Sequence, residues 1–266
     1  MATFNKQKAF GQHFLSDPHV IQGIVNATTE ALQRNPGCAL LEIGPGKGAI
    51  TRPLLEAVPQ DIPFYVAERD RELIEYWRPE SRIRHLLEGD FLQQPDEVLN
   101  EIGKLVVVSN LPYSAGTAIA VRLCERTSQI PEMILMFQAE VAKRLYANPS
   151  TRDRGSLSLY VQNEWQVEPI LKVPPGAFRP PPKVMSEVVR LTRRSEPYVD
   201  VKSPERREAW NDLLMYSFRH RRKMIRGNLV GSQWLNAFDE SGVDPKLRAE
   251  ALEWKDWVAI WKKRFS

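Results

Sequence analysis

Between residues 39 and 137, short apolar runs alternate with stretches whose apolar positions recur every three or four residues. The runs are ALLEI (39–43), PFYVA (63–67), IRHLL (83–87), KLVVVS (104–109) and MILMF (133–137). The stretches between and after them, such as ITRPLLEAV, RELIEYW, DEVLNEI, TAIAVRLCER and AEVAKRLY, carry a helical period. This alternation predicts an α/β domain whose mostly parallel sheet is covered on both faces. Ahead of it, Asp17-Pro18 reads as a helix start, followed by Ile21, Ile24, Val25 and Leu32 at helical spacing. PILKV and SEVVRL come later, joined by VPPGAFRPPPKVM without a helical pattern, and predict an antiparallel pair at the sheet edge. From about Pro204 the pattern is helical only. A boundary near 194–204 therefore divides a sheet domain, residues 1–197, from a small all-α domain, residues 198–266.

Charge sharpens that division. Arg193 to Ser266 hold 16 Lys+Arg against 11 Asp+Glu, a balance of +5, whereas the remainder holds 21 against 22, a balance of −1. The basic excess belongs to the C-terminal quarter and points to a polyanionic partner. In RHRRKMIR (219–226), Arg219, Arg222, Lys223 and Arg226 would share one face of a helix, with Arg221 off it. A solvated face is the bland alternative; a phosphate-tracking surface is the functional one. No apolar run reaches the length of a membrane span, and the N-terminus has no apolar core of a secretory signal. Cys38 and Cys124 lie in apolar surroundings without metal-ligand spacing. A cytoplasmic protein without bound metal is expected.

EIGPGKGAI (42–50) falls at the first strand-to-helix turn, where glycines let the backbone turn tightly and approach a ligand. Gly44, Gly46 and Ala49 fit a dinucleotide fingerprint, with Glu68 after the next strand positioned for ribose hydroxyls. A plain tight turn is the alternative. Pro45 removes an N–H that a pyrophosphate would need, which favours S-adenosylmethionine over a nicotinamide cofactor. Asp90-Phe91 then falls where an adenine would lie, although Asp90 is equally a cap residue. Gly44, Glu68, Asp90 and Asn110 stand one at each successive strand end, where ligands of open α/β sheets bind.

VVVSNLPYSAGT (106–117) runs a buried strand straight into Asn110-Leu111-Pro112-Tyr113. The Asn110 amide oxygen and the Leu111 carbonyl can both accept from an exocyclic amine, Pro112 stiffens the turn, and Tyr113 offers a face for stacking a base. Two acceptors on one amine aim its lone pair at an electrophile, which suits attack on a sulfonium methyl. A proline turn with a core tyrosine is the competing reading.

Asn110 to Tyr113 looks like the corresponding motif of nucleic-acid adenine N6-methyltransferases. The chain as a whole resembles the rRNA adenine dimethyltransferase family of the KsgA type. The likeness rests on KAFGQHFL (8–15), LEIGPGKGAIT (41–51), GDF (89–91), NLPY (110–113), VPPGAFRPPPKVMSEVVRL (173–191) and FRHRRKMIRGNL (218–229). It implies a Rossmann-like class I S-adenosylmethionine-dependent methyltransferase domain with a seven-stranded sheet, followed by a small helical RNA-binding domain. It further implies dimethylation of two adjacent adenines near the 3′ end of small-subunit (16S) rRNA, in the assembling small ribosomal subunit, by a monomer. Carried over by motif position, His13, Leu15, Gly44, Gly46, Glu68, Asp90 and Asn110 would hold the cofactor. Asn110, Leu111, Tyr113 and Phe178 would hold the adenine, with Phe178 opposite Tyr113; the aromatic could equally be a core plug. Arg219, Arg221, Arg222, Lys223 and Arg226 would contact RNA. His13 stands where many members have asparagine, and Ser114-Ala115 replaces the usual Asn-Ile. Three alternatives are a large-subunit rRNA methyltransferase of the antibiotic-resistance type, a non-catalytic assembly or transcription factor on the same fold, and a nicotinamide-dependent oxidoreductase.

Overall fold

A computed structural model describes residues 13–265. Residues 8–12 of the KAFGQHFL stretch, and the rest of the N-terminal segment weighed as a signal, lie outside the described residues. The chain forms two compact units, one of residues 1–142 and 167–193, the other of residues 143–166 and 194–266.

The first unit is built on a seven-stranded sheet. Strand β1 (Phe14–Leu15) comes first in the chain but lies outside it; β2 (Ala39–Ile43), β3 (Phe64–Glu68), β4 (Ile83–Glu88), β5 (Leu105–Asn110) and β6 (Glu132–Gln138) belong to it. They are followed by β7 (Trp165–Val173), by β8 (Phe178–Arg179), which pairs with β1, and by β9 (Ser186–Arg193). The order across the sheet is β4-β3-β2-β5-β6-β9-β7. Neighbours from β4 to β6 run parallel, and β9 runs antiparallel to β6. The expected edge position of the two late runs is therefore observed. Pro169 interrupts hydrogen bonding only in β7, an edge strand, where such a loss is tolerated.

The β2, β5 and β6 interiors are buried on both faces, which is why they read as continuous apolar runs. Between β2 and β5 the strand order reverses direction, so their carboxyl ends open a crevice. The helix Pro18–Arg34 begins as its sequence predicts: Asp17 caps it by accepting from the N–H groups of His19 and Val20.

The second unit is helical around a tryptophan-rich core: Trp210, Trp234, Trp257 and Trp261 with Phe238, Leu213 and Leu229. It is not the C-terminal segment alone. The helix Ser156–Glu164 sends Leu159 into that core. Asn163 exchanges two hydrogen bonds with the Val199 backbone, and Glu164 pairs with Arg207 at 2.9 Å. Because those partners lie after residue 194, helix 156–164 belongs with them rather than with residues 1–142, and the division at 197–198 is corrected accordingly.

Candidate active site and RNA surface

Four successive strand ends of the first unit meet at one cavity of about 410 Å³. Its walls include His13, Leu15, Gly44, Gly46, Glu68, Asp90, Asn110, Leu111, Tyr113 and Phe178, so every sheet-domain residue singled out from the sequence is brought to one place.

The glycine loop turns on Gly44, whose φ of +70° an L side chain rarely adopts. It is fixed from behind by Trp77, a fully buried residue whose indole N–H donates to the Gly46 carbonyl at 2.9 Å. A Cβ on Gly48 would lie 2.7 Å from Trp77 Cη2, so ring and backbone are in direct contact there. Glu68 Oε1 accepts from the N–H groups of Arg69 and Asp70 at 2.8 and 2.9 Å, and Oε2 from Gly46 N–H at 3.4 Å. Burial pushes this carboxyl above its ordinary value, and the N–H groups of Asp70, Arg69 and Gly46 pull against that rise. With one long donor, Oε2 keeps lone-pair capacity toward the cavity.

Asp90 serves both of its sequence readings. Its Oδ1 caps the short 3₁₀ turn Phe91–Gln93 by accepting from Leu92 N–H, and the residue also lines the cavity beside Phe91. At the mouth of β5, the Ser109 hydroxyl donates to the Ile43 carbonyl at 2.6 Å and ties β5 to β2. Leu111 N–H donates to Met136, and the Pro112 carbonyl accepts from Ala115 and Gly116 at 3.1 and 2.8 Å, closing the turn into the helix Gly116–Cys124. Among the described residues the Leu111 carbonyl accepts from no backbone N–H, and the Asn110 side-chain amide has no hydrogen-bond partner. Both residues line the cavity, so among the described residues two acceptors there are unused. The Tyr113 hydroxyl is anchored 2.8 Å from Ser186 Oγ, which fixes the ring at the rim.

A match to the family described as ribosomal RNA adenine dimethylase spans residues 3–264. The chain belongs to that family. It is accordingly an S-adenosylmethionine-dependent enzyme that methylates rRNA adenine. It is 40% identical over 259 residues to the ribosomal RNA small subunit methyltransferase A of Thiobacillus denitrificans, covering 96% of each chain. To the protein of the same name from Vibrio cholerae it is 39% identical, over 96% of this chain and 92% of that one. Among solved structures, a dimethyladenosine transferase from Plasmodium falciparum superposes with a TM-score of 0.71 at 19% identity, covering 93% and 96% of the two chains. The 23S rRNA methyltransferase ErmE superposes with a TM-score of 0.66 at 24% identity, covering 95% and 100%. At those identities the structural likeness concerns the fold. The nicotinamide oxidoreductase reading is set aside by the family.

The cavity of this rRNA adenine dimethylase suits its cofactor. Glu68 offers acceptor capacity for ribose hydroxyls, Asp90 and Phe91 an acidic and an apolar wall for a base. Glu42, which also lines the cavity, is 2% exposed, and its Oε2 has no hydrogen-bond partner among the described residues. Burial pushes its carboxyl up to about 8, a neighbouring Thr51 hydroxyl opposing and Glu68 adding to the rise. A bound sulfonium and ammonium would favour the ionised form of these carboxyls and offset the cost of burying their charge. Glu42 escaped attention in the sequence, although an acid inside an apolar strand run is a legible signal. Trp77 carries no such mark, since its helix looks like any amphipathic segment.

The N-terminal arm crosses this site. β1 pairs with β8 through Phe14↔Arg179 and Leu15↔Phe178, and His13 Nδ1 donates to the Pro180 carbonyl at 2.8 Å. The His13 ring lies 5.6 Å from that of Tyr113. Phe178 is 1% exposed and packs in the main core with Leu15 and Val188, so its ring is a covered cavity wall.

The basic run departs from expectation. The helix Pro204–Phe218 stops before it, residues 219–224 form turns, and a new helix spans Ile225–Leu229. The buried Asn228 amide donates to the Ser217 and His220 carbonyls at 2.8 and 3.1 Å, satisfying the helix end from outside and redirecting the chain. Four cations on one helical face are therefore not what the second unit presents. Arg226 donates two parallel hydrogen bonds to the Asp239 carboxylate, at 2.8 and 2.9 Å, and Arg221 donates to backbone carbonyls. Arg219, Arg222 and Lys223 remain exposed.

Proposed function

We propose that this enzyme dimethylates the N6 amines of two adjacent adenines near the 3′ end of small-subunit (16S) rRNA, acting as a cytoplasmic monomer on the assembling small ribosomal subunit. The names of its relatives support the small-subunit substrate. The observation that carries the chemistry is the pair of acceptors unclaimed among the described residues, the Asn110 amide and the Leu111 carbonyl, at a strand end held by Ser109 and Pro112.

The cofactor supplies an already activated methyl group, so the chain's task is orientation and electrostatics, with no metal required. Asn110 and Leu111 accept the two hydrogens of the target amine and direct its lone pair into the cavity. Tyr113, pinned through its hydroxyl, stacks the base, and Phe178 closes the opposite wall. Glu68 and Asp90 hold the ribose and adenine of the cofactor, Gly44 and Gly46 let the backbone approach it, and His13 and Leu15 cover it. An adenine in folded rRNA has to leave its stack to reach such a site. The second unit's Arg219, Arg222 and Lys223 track phosphates and seat the RNA.

Asn110→Ala tests this. Single-turnover methylation of unmethylated small subunits should fall about 100-fold or more, while RNA affinity holds. Near-normal transfer would reduce the motif to a turn. Mass spectrometry of rRNA from cells lacking the protein should show two adjacent unmethylated adenines in the small subunit. Loss from the large subunit instead would favour the antibiotic-resistance type.

A further inference from the structure

Arg221 stands in the middle of the basic run, yet it is engaged. Its Nη2 donates to the Arg152 carbonyl at 2.6 Å and to the Arg154 carbonyl at 2.9 Å, 69 and 67 residues earlier in the chain. The same segment is pinned twice more within the second unit. Ser150, at a φ of +64°, donates its N–H to the Glu250 carbonyl at 2.8 Å. Arg154 is wholly buried and donates to the carbonyls of Ala147 and Leu252 at 3.0 and 3.3 Å. Three anchors, one of them a strained non-glycine residue, hold a loop whose side chains at 151 and 152 are exposed. Arg152 is therefore an exposed cation on the backbone that Arg221 grips, Arg222 and Lys223 directly follow Arg221 in the chain and are exposed as well, and half-buried Asp153 is its neighbour in sequence.

We propose that Arg152 is a further phosphate-contacting cation of the RNA surface, and that Arg221 is a positioning residue which holds segment 147–155 in place without touching phosphate. The inference rests on the reading of the second unit as the RNA seat and adds a second chain segment to it. The physical reason for the latch is entropic. A cation on a free loop would lose backbone freedom on docking, whereas one held by guanidinium-to-carbonyl bonds has lost that freedom on folding. Both bonds leave one nitrogen, Nη2, whose two hydrogens reach carbonyls two residues apart.

The test uses the full chain and unmethylated small ribosomal subunits across a salt series. Arg152→Gln should reduce the magnitude of the log K against log[salt] slope by about 0.7 to 0.9, the value of one phosphate contact. Cofactor affinity, measured in parallel by calorimetry, should stay unchanged and verifies folding. Arg221→Gln should speed amide exchange at residues 152–155 and shrink the effect of Arg152→Gln in the double variant. An unchanged slope for Arg152→Gln overturns the inference. So does an Arg221→Gln variant that loses a full contact from the slope with exchange at 152–155 unaltered, because Arg221 would then be the ligand. Arg222→Gln with Lys223→Gln separates the two readings: no change there removes the RNA seat itself, whereas a change there with none at Arg152 removes only the second segment.

Discussion

The two units use the same side chain in opposite ways. In the sheet unit, Trp77 spends its N–H on the Gly46 carbonyl and its ring on Gly48, so the indole shapes the glycine loop. In the helical unit, Trp210, Trp234 and Trp257 are equally buried, but their N–H groups find no acceptor among the described residues. They supply volume and ring contacts, as in the edge-on packing of Trp210 against Trp257 and Trp261 at 6.1 and 5.8 Å. A unit of short helices has little aliphatic interface to bury, and large aromatics compensate. The sheet already has a continuous aliphatic core, so its tryptophan is free to position.

Four measurements would break or sharpen that contrast. The largest effect belongs to Trp210→Ala, which should destabilise the helical unit by about 3–5 kcal/mol through the cavity it leaves. A loss below about 1 kcal/mol in denaturant unfolding would mean that volume is not its contribution. Next, Glu68→Ala should weaken S-adenosylmethionine binding by roughly 2 kcal/mol, since ligand hydroxyls would be left unmatched. Calorimetry with unchanged affinity would remove the role. Trp77→Phe keeps most of the ring and deletes one hydrogen bond, so it should cost about 1 kcal/mol. If the indole positions the loop, that loss appears in cofactor affinity; appearing in stability alone, it would make Trp77 a filler like the others.

The fourth measurement is a pH dependence. Glu42 holds its proton up to about 8 in the folded chain, against an ordinary value of 4.5. The folded state therefore binds more protons than the unfolded one between those limits, and this group lowers stability as pH rises from 4.5 to 8. Below 4.5 it contributes nothing, and above 8 its cost is complete. Its share of the slope is at most about 1.4 kcal/mol per pH unit. Glu42→Gln should flatten the stability profile in that window, and identical profiles would mean the carboxyl is ionised and paired in the fold.

Much of the sheet unit was legible in the chain because its strands are buried on both faces and its glycine and NLPY segments fall at strand ends. Segment-local patterns sufficed there. The helical unit was less readable. Arg219 to Arg226 have good helix propensity, but the Asn228 side chain ends the preceding helix by taking its carbonyls, a tertiary decision invisible in spacing. Likewise helix Ser156–Glu164 belongs with residues after 194 through Asn163 and Glu164, whose partners lie 36 and 43 positions away. The two-residue pair of β1 and β8 was too short to announce itself.

The contact between Gly48 and Trp77 sets a rule for anyone rebuilding this loop. With 2.7 Å between a would-be Cβ and the ring, positions 48 and 77 are one choice made twice. A library that varies residue 48 while keeping the tryptophan samples mostly collisions. One that shrinks residue 77 alone opens a gap under the loop and drops the bond to Gly46. Transplanting EIGPGKG to another sheet would carry over the letters of the motif but not its curvature, unless the indole from the next helix travels with it.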